Sequence, residues 1–178
     1  MTSVTLRPGA AGVIPSTARP SLIRHAFDLE ARAEAALKVL LQRWSIPLLR
    51  IALGAVFAVF GILKAFPGVS PIEPLVVATW EKLSFGLVGG QTAMMLTAAM
   101  EVLAGLLIIV GAGFARVGLI VLAVTFVGIL SPIVLLPQEV FAATGPTLTG
   151  QYIFKDAVLI AAALVVAGRV LRGPAPRV

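Results

Sequence analysis

Residues 46–68 read IPLLRIALGAVFAVFGILKAFPG, and this stretch decides the class of the fold. Pro47 suits a first helical turn, Pro67-Gly68 is a stop, and the segment between them is almost wholly apolar. At about 1.5 Å per residue, a helix from roughly Ile46 to Phe66 matches a hydrocarbon core about 30 Å thick. Two cations interrupt it, Arg50 and Lys64. Arg50, Gly54, Phe57, Gly61 and Lys64 follow one another by alternating steps of four and three, so they share one helix face. A charge in hydrocarbon survives when it is paired, protonated or turned to an internal cavity, so that face should look into a bundle, with its glycines admitting a neighbouring backbone.

The same signal recurs downstream, predicting further spans over about 91–111, 115–136 and 152–171. The expectation is an all-α integral membrane domain over residues 45–172, a four-helix transmembrane bundle. Composition agrees: 178 residues, 59% hydrophobic and 12% charged, with mean hydropathy +1.04, where soluble domains carry roughly a quarter charged residues. Residues 67–90 hold Pro67, Pro71 and Pro74 and then LVVATWEKLSFGL. This is too short and interrupted to span, and predicts an interfacial helix with Trp80 at headgroup level.

Residues 1–20, MTSVTLRPGAAGVIPSTARP, lack the continuous apolar core of a secretory signal and read as an extended or disordered cytoplasmic arm. Over 21–44 the pattern turns helical. Leu22, Ala26, Leu29, Ala33, Leu37 and Leu40 form one stripe, while Asp28/Arg32 and Glu34/Lys38 are i,i+4 pairs on the other side. That predicts an N-terminal amphipathic helix lying on lipid or against a partner subunit.

The formal charge of +6 and pI near 10.8 do not signal nucleic-acid binding, because the basic residues are distributed as membrane topology. Arg7, Arg19, Arg24, Arg32, Lys38 and Arg43 precede the first span, Arg116 separates the second and third, and Arg169, Arg172 and Arg177 follow the fourth. The positive-inside rule then puts both termini in the cytoplasm of a cell whose inner membrane holds the protein, with residues 137–150 facing outward.

Glu101, near the middle of the second span with Ala98 and Gly105 on its face, is the most isolated charge. It either pairs with Arg50 or Lys64 or carries a proton, and the sequence does not choose. A structural ion pair that fixes helix register and a proton acceptor beside a quinol or solute are both open. Lys155 and Asp156 follow Gln151 and Tyr152 in the first turn of the fourth span. With Lys64 they would ring an outward-facing pocket suited to a quinone headgroup or a small anion; snorkelling of Lys155 and a helix-dipole role for Asp156 are the plainer explanations. Gly54, Gly61, Gly105, Gly118 and Gly128 are expected at helix contacts, and Ser131-Pro132 at a loosened turn of the third span. His25 reads as a polar-face residue and Met94, Met95 and Met100 as packing.

The chain has no cysteine and one histidine, which excludes thiolate redox chemistry, Cys-ligated metal, iron–sulfur clusters and bis-His haem. No metal site is predicted, and no covalent cofactor. Any redox group is a diffusible quinone or belongs to a partner.

Three stretches, LRIALGAVFAVFGILKAFPGVSPIEPLVVATW, EVLAGLLIIVG and PTLTGQYIFKDAVLIAAALVV, together resemble the DoxX-like family of small four-span membrane proteins. The carrying motifs are Gly61-x-x-Lys64-x-x-Pro67-Gly68, Glu101, and Gly150-Gln151-Tyr152-x-x-Lys155. The resemblance implies a four-helix bundle and an association with membrane redox chemistry, since relatives include subunits of a thiosulfate:quinone oxidoreductase. Asp156 departs from the asparagine common there. The expectation is an accessory subunit of a membrane redox or energy-converting complex near quinone. The alternatives are a catalytic quinone-linked oxidoreductase subunit and a small-solute or proton carrier.

Overall fold

The computed structural model describes residues 22–171. The arm expected over 1–20 and the basic residues Arg172 and Arg177 lie outside them, as does the side chain of His25. The chain divides into two units between Leu40 and Leu41. In the first, residues 22–40 are helical, and the stripe residues Leu29, Ala33, Leu37 and Leu40 are all exposed. Among the described residues the only ion pair joins Lys64 to Glu101, so the expected Asp28/Arg32 and Glu34/Lys38 pairs are not closed.

Helix α1 is Leu22–Lys64. It takes in both the stretch expected as a surface helix and the first expected span, with Pro47 inside it. Proline removes one backbone donor, and the apolar periodicity on both sides is strong enough that the helix does not end there. After the turn at 65–72 come α2, Glu73–Leu83; α3, Gly90–Val110; and α4, Phe114–Leu130. Two short helices follow, α5 (Pro132–Leu135) and α6 (Pro137–Val140), then a two-residue hairpin, β1 (Phe141–Ala142) with β2 (Gly145–Pro146), and finally α7, Leu148–Val170. Among the described residues, three helical segments are long and apolar enough to cross a membrane: Phe27–Lys64, Gly90–Val110 and Phe114–Leu135.

Local chemistry explains two boundaries. The break between α4 and α5 falls at Ser131, whose hydroxyl donates to the Gly128 carbonyl, immediately before Pro132. Helix α7 starts four residues earlier than Tyr152, because the Thr147 hydroxyl accepts from the Gly150 amide and caps it. Gly150 is required there: a Cβ would collide with the Val140 carbonyl.

Glycines set the register of α1 against α3. A Cβ on Gly54 would lie 2.6 Å from the Gly105 carbonyl and one on Gly61 2.9 Å from Val102 N, so the two backbones touch. As α1 ascends from 54 to 61 its neighbours on α3 descend from Gly105 and Ile109 to Glu101 and Val102, so the helices are antiparallel. Gly118 packs in the same way on Leu107 and Ile108, locking α4 to α3. Gly128, also expected at a contact, has nothing within 4 Å of the Cβ position.

Lys64, the last residue of α1, is level with Glu101, eleven residues or about 16 Å from the start of α3. Helix α1 therefore stops halfway along α3. Beyond that level its place is taken by α2, which lies along the first half of α3 instead of past its end: the Trp80 indole N–H donates to the Thr97 hydroxyl, 2.8 Å away and two turns inside α3. Trp80, expected at headgroup level, lies alongside the first half of α3.

The half of the structure toward Val110 is solid. Leu53 and Phe57 of α1, Ala104 and Ile108 of α3, Leu122 and Phe126 of α4, and Ala163 and Val166 of α7 form one buried cluster. The half toward Gly90 is held by a smaller cluster, Leu75, Leu136, Val140 and Ile153, and is hollow above it.

Candidate functional site

The hollow is a cavity of about 510 Å³ bounded by α1, α2, α3, α4, α5 and α7, within the range of small-molecule sites. Its base is the ion pair. Lys64 Nζ lies 2.6 Å from Glu101 Oε2, with the two residues only 6% and 2% exposed. Sequence places Lys64 as the last residue of α1, where a cation also complements the helix dipole. Gly61, one turn earlier, brings α1 against the Cβ of Glu101 and makes so short a bridge attainable. Directly beneath, the Phe57 and Phe126 rings meet edge to face, centroids 5.4 Å apart, and close the floor.

The walls are mostly apolar with a few polar groups. Thr125 of α4 and Thr79 of α2 are buried, each hydroxyl donating to the carbonyl four residues back in its own helix. From α7 come Thr149, Tyr152, Lys155 and Asp156, so Tyr152, Lys155 and Asp156 share one cavity with Lys64 and Glu101. Lys155 Nζ sits 5.2 Å from the centroid of the Tyr152 ring, a cation–π distance.

Two of the residues singled out from sequence are not part of this arrangement. Arg50 is at the opposite end of α3, where its guanidinium occupies the space a Cβ on Gly111 would need. Gln151 is exposed and outside the lining. Conversely Thr79, Trp80, Thr97 and Thr125 line the cavity without having been expected to. Helical periodicity of α3 places Thr97 and Glu101 on one face and was the available signal; nothing in residues 67–90 announced that they return to the depth of Glu101.

The cavity also has an edge toward the surroundings. Phe60, Val124 and Val127 line it and are 55%, 57% and 71% exposed. Phe60 adjoins Gly61 at the level of Glu101, and Val124 reaches that level because Gly118 is fixed at Ile108, with roughly equal helix lengths leading from there to each. The opening is therefore at the mid-depth of α3, on the side.

Among known proteins, no curated protein and no solved structure matches the chain. A protein-family model, DoxX, matches residues 45–135. The matched segment takes in the glycine face of α1, the Lys64–Glu101 pair and the α2 wall, and ends before Tyr152, Lys155 and Asp156. Covering just over half of the 178 residues, and agreeing with the apolar helices, it shows that this is a multi-pass membrane protein that belongs to the DoxX family.

Proposed function

We propose that this protein is an accessory membrane subunit of a redox or energy-converting complex and that its cavity receives a quinone headgroup. The observation that carries this reading is the position of the Lys64–Glu101 pair: at mid-depth, at the base of an apolar cavity that opens sideways where acyl chains would lie. A ligand reaching it by that route is dissolved in lipid, and a headgroup with two carbonyls finds a cationic donor in Lys64 and a carboxyl able to hold a proton in Glu101. When bound, quinone would supply the two-electron, two-proton chemistry that the side chains lack. The chain has no cysteine and one histidine, so electrons would come from a partner subunit. Lys64 orients and donates, Glu101 holds or passes a proton, and the Phe57–Phe126 floor keeps the other half of the protein dry.

In this reading α7 is a fourth crossing, at 23 residues long enough to span. Both termini are cytoplasmic in the inner membrane, because Arg43, Arg116 and Arg169 all lie at one end of the crossings.

The test uses Trp80, which lines the cavity and is one of two tryptophans. In the Trp44→Phe variant in lipid nanodiscs, ubiquinone or menaquinone should quench Trp80 fluorescence saturably, with a midpoint that shifts in Glu101→Gln. Quenching that rises linearly with quinone, as for a residue merely exposed to membrane-dissolved quencher, would sink the proposal. Mass spectrometry of native complexes extracted in mild detergent tests the accessory role; a protein recovered only with itself would reject it.

A further inference from the structure

We infer that the end of the bundle where α3 turns into α4 binds an anionic phospholipid, whose phosphate is held by Arg50 at the edge of the hydrocarbon and by Arg43 further out. The site is separate from the cavity and does not depend on what occupies it.

Three features carry it. First, the cations are sorted by type. Between residues 41 and 171 the arginines are Arg43, Arg50, Arg116 and Arg169, and the lysines are Lys64, Lys82 and Lys155. All four arginines stand toward the Val110 end of α3, whereas Lys64 and Lys155 line the cavity in the other half and Lys82 ends α2. No Asp or Glu falls within 41–72, 102–138 or 157–171, so these segments bring four positive charges to that end and no acid to offset them. The guanidinium fork matches pairs of phosphate oxygens, where an ammonium is only a point charge.

Second, Arg50 belongs to the helix packing and not to a loop. It is half-buried, and its guanidinium fills the space that a Cβ on Gly111 would need. Gly111 has a φ of +80°, which glycine adopts freely, and so provides both the turn out of α3 and the niche beside it. The negative end of the α3 dipole favours a cation there, but it amounts to about half a charge. Among the described residues the only ion pair is Lys64–Glu101, so no carboxylate completes the neutralisation of Arg50.

Third, the height suits a lipid. Arg50 is level with the end of α3, whose 21 residues span about 30 Å, the thickness of the hydrocarbon core. Arg43 lies seven residues earlier on the same face of α1, about 10 Å further out, with its guanidinium carbon 5.8 Å from the centroid of the Trp44 ring. The headgroup layer is about 5–8 Å deep on each side, so a phosphate within it has one arginine below and one above. Next to this level Leu48, Ile51, Val117 and Ile120 are exposed and apolar, a surface for acyl chains and not for a soluble anion.

The test uses the full chain, purified in a mild non-ionic detergent, stripped of lipid and titrated with phosphatidylglycerol or phosphatidylcholine while native mass spectrometry counts the lipid retained. The wild-type protein should retain phosphatidylglycerol in preference. Arg50→Gln should abolish the preference, Arg50→Lys should lose most of it and Arg43→Gln should weaken it, while Lys82→Gln, the same charge change at the other end, keeps it. If Arg50→Gln does not fold, the exposed Arg43 decides the matter through Arg43→Gln. No preference in the wild type, an undiminished preference in Arg43→Gln and in any folded Arg50→Gln, or an equal loss in Lys82→Gln, as diffuse charge attraction would give, would overturn the site. Displacement of the lipid by inorganic phosphate would assign the arginines to a soluble anion and overturn it equally.

Discussion

Lys64 Nζ and Glu101 Oε2 meet at 2.6 Å, thirty-seven residues apart in sequence, at the level where α1 ends and halfway along α3. Breaking one partner of a buried pair strands the other. Lys64→Met or Glu101→Leu alone is expected to cost about 3–5 kcal/mol, and the double variant to regain most of it. Thermal unfolding in detergent measures the cycle. If each single change cost under about 1 kcal/mol, the pair would be as weak as a surface bridge and its buried position would not matter to folding.

The close approach of α1 and α3 rests on Gly54 and Gly105. Gly54→Ala places a Cβ 2.6 Å from a backbone carbonyl, and overpacking of that kind typically costs about 1–3 kcal/mol. Gly128→Ala meets nothing within 4 Å and should be neutral or stabilising by up to roughly 1 kcal/mol, since alanine is the better helix former. Equal destabilisation of the two variants in urea or SDS titrations would show that the α1–α3 contact is looser than described.

Thr147 ties the end of the 137–147 segment to α7. Its hydroxyl donates to the Glu139 carbonyl at 2.6 Å and accepts from the Gly150 amide at 3.0 Å. Thr147→Val keeps the shape and removes both bonds, with an expected loss of about 1 kcal/mol. Hydrogen exchange at the Gly150 amide should rise severalfold while Thr147→Ser retains protection. Unchanged exchange in Thr147→Val would assign the cap to another group.

Membrane topology gives a fourth expectation. Cysteines introduced at Lys82 and Ala143 should both label from outside the cell, and one at Gly113 from the cytoplasm, as the arginine distribution requires. A cytoplasmic reading at 82 and 143 would invert the proposed orientation.

Much of this molecule could be read along the chain. Membrane class followed from the lengths of the apolar runs, because hydrocarbon thickness is a ruler. The shared face of Gly54, Phe57, Gly61 and Lys64 followed from helical periodicity, and in the structure all four are buried. Arg50 belonged to the same face by the same arithmetic, yet it ends beside Gly111, far from Glu101. Periodicity assigns a side and says nothing of height.

Height was decided by tertiary contacts. Which cation faces Glu101 depends on the register of α1 against α3, and that register is set by glycines on both helices meeting backbone to backbone. The return of α2 to the depth of the pair depends on Trp80 reaching Thr97 and on Leu75 joining Leu136, Val140 and Ile153. Those residues are distant in sequence, and no local propensity links them. The sequence by itself determined that the protein is helical, embedded in a membrane and charged within. Only the packing decided that those charges share one hollow, because a cavity is what the surrounding helices leave unfilled.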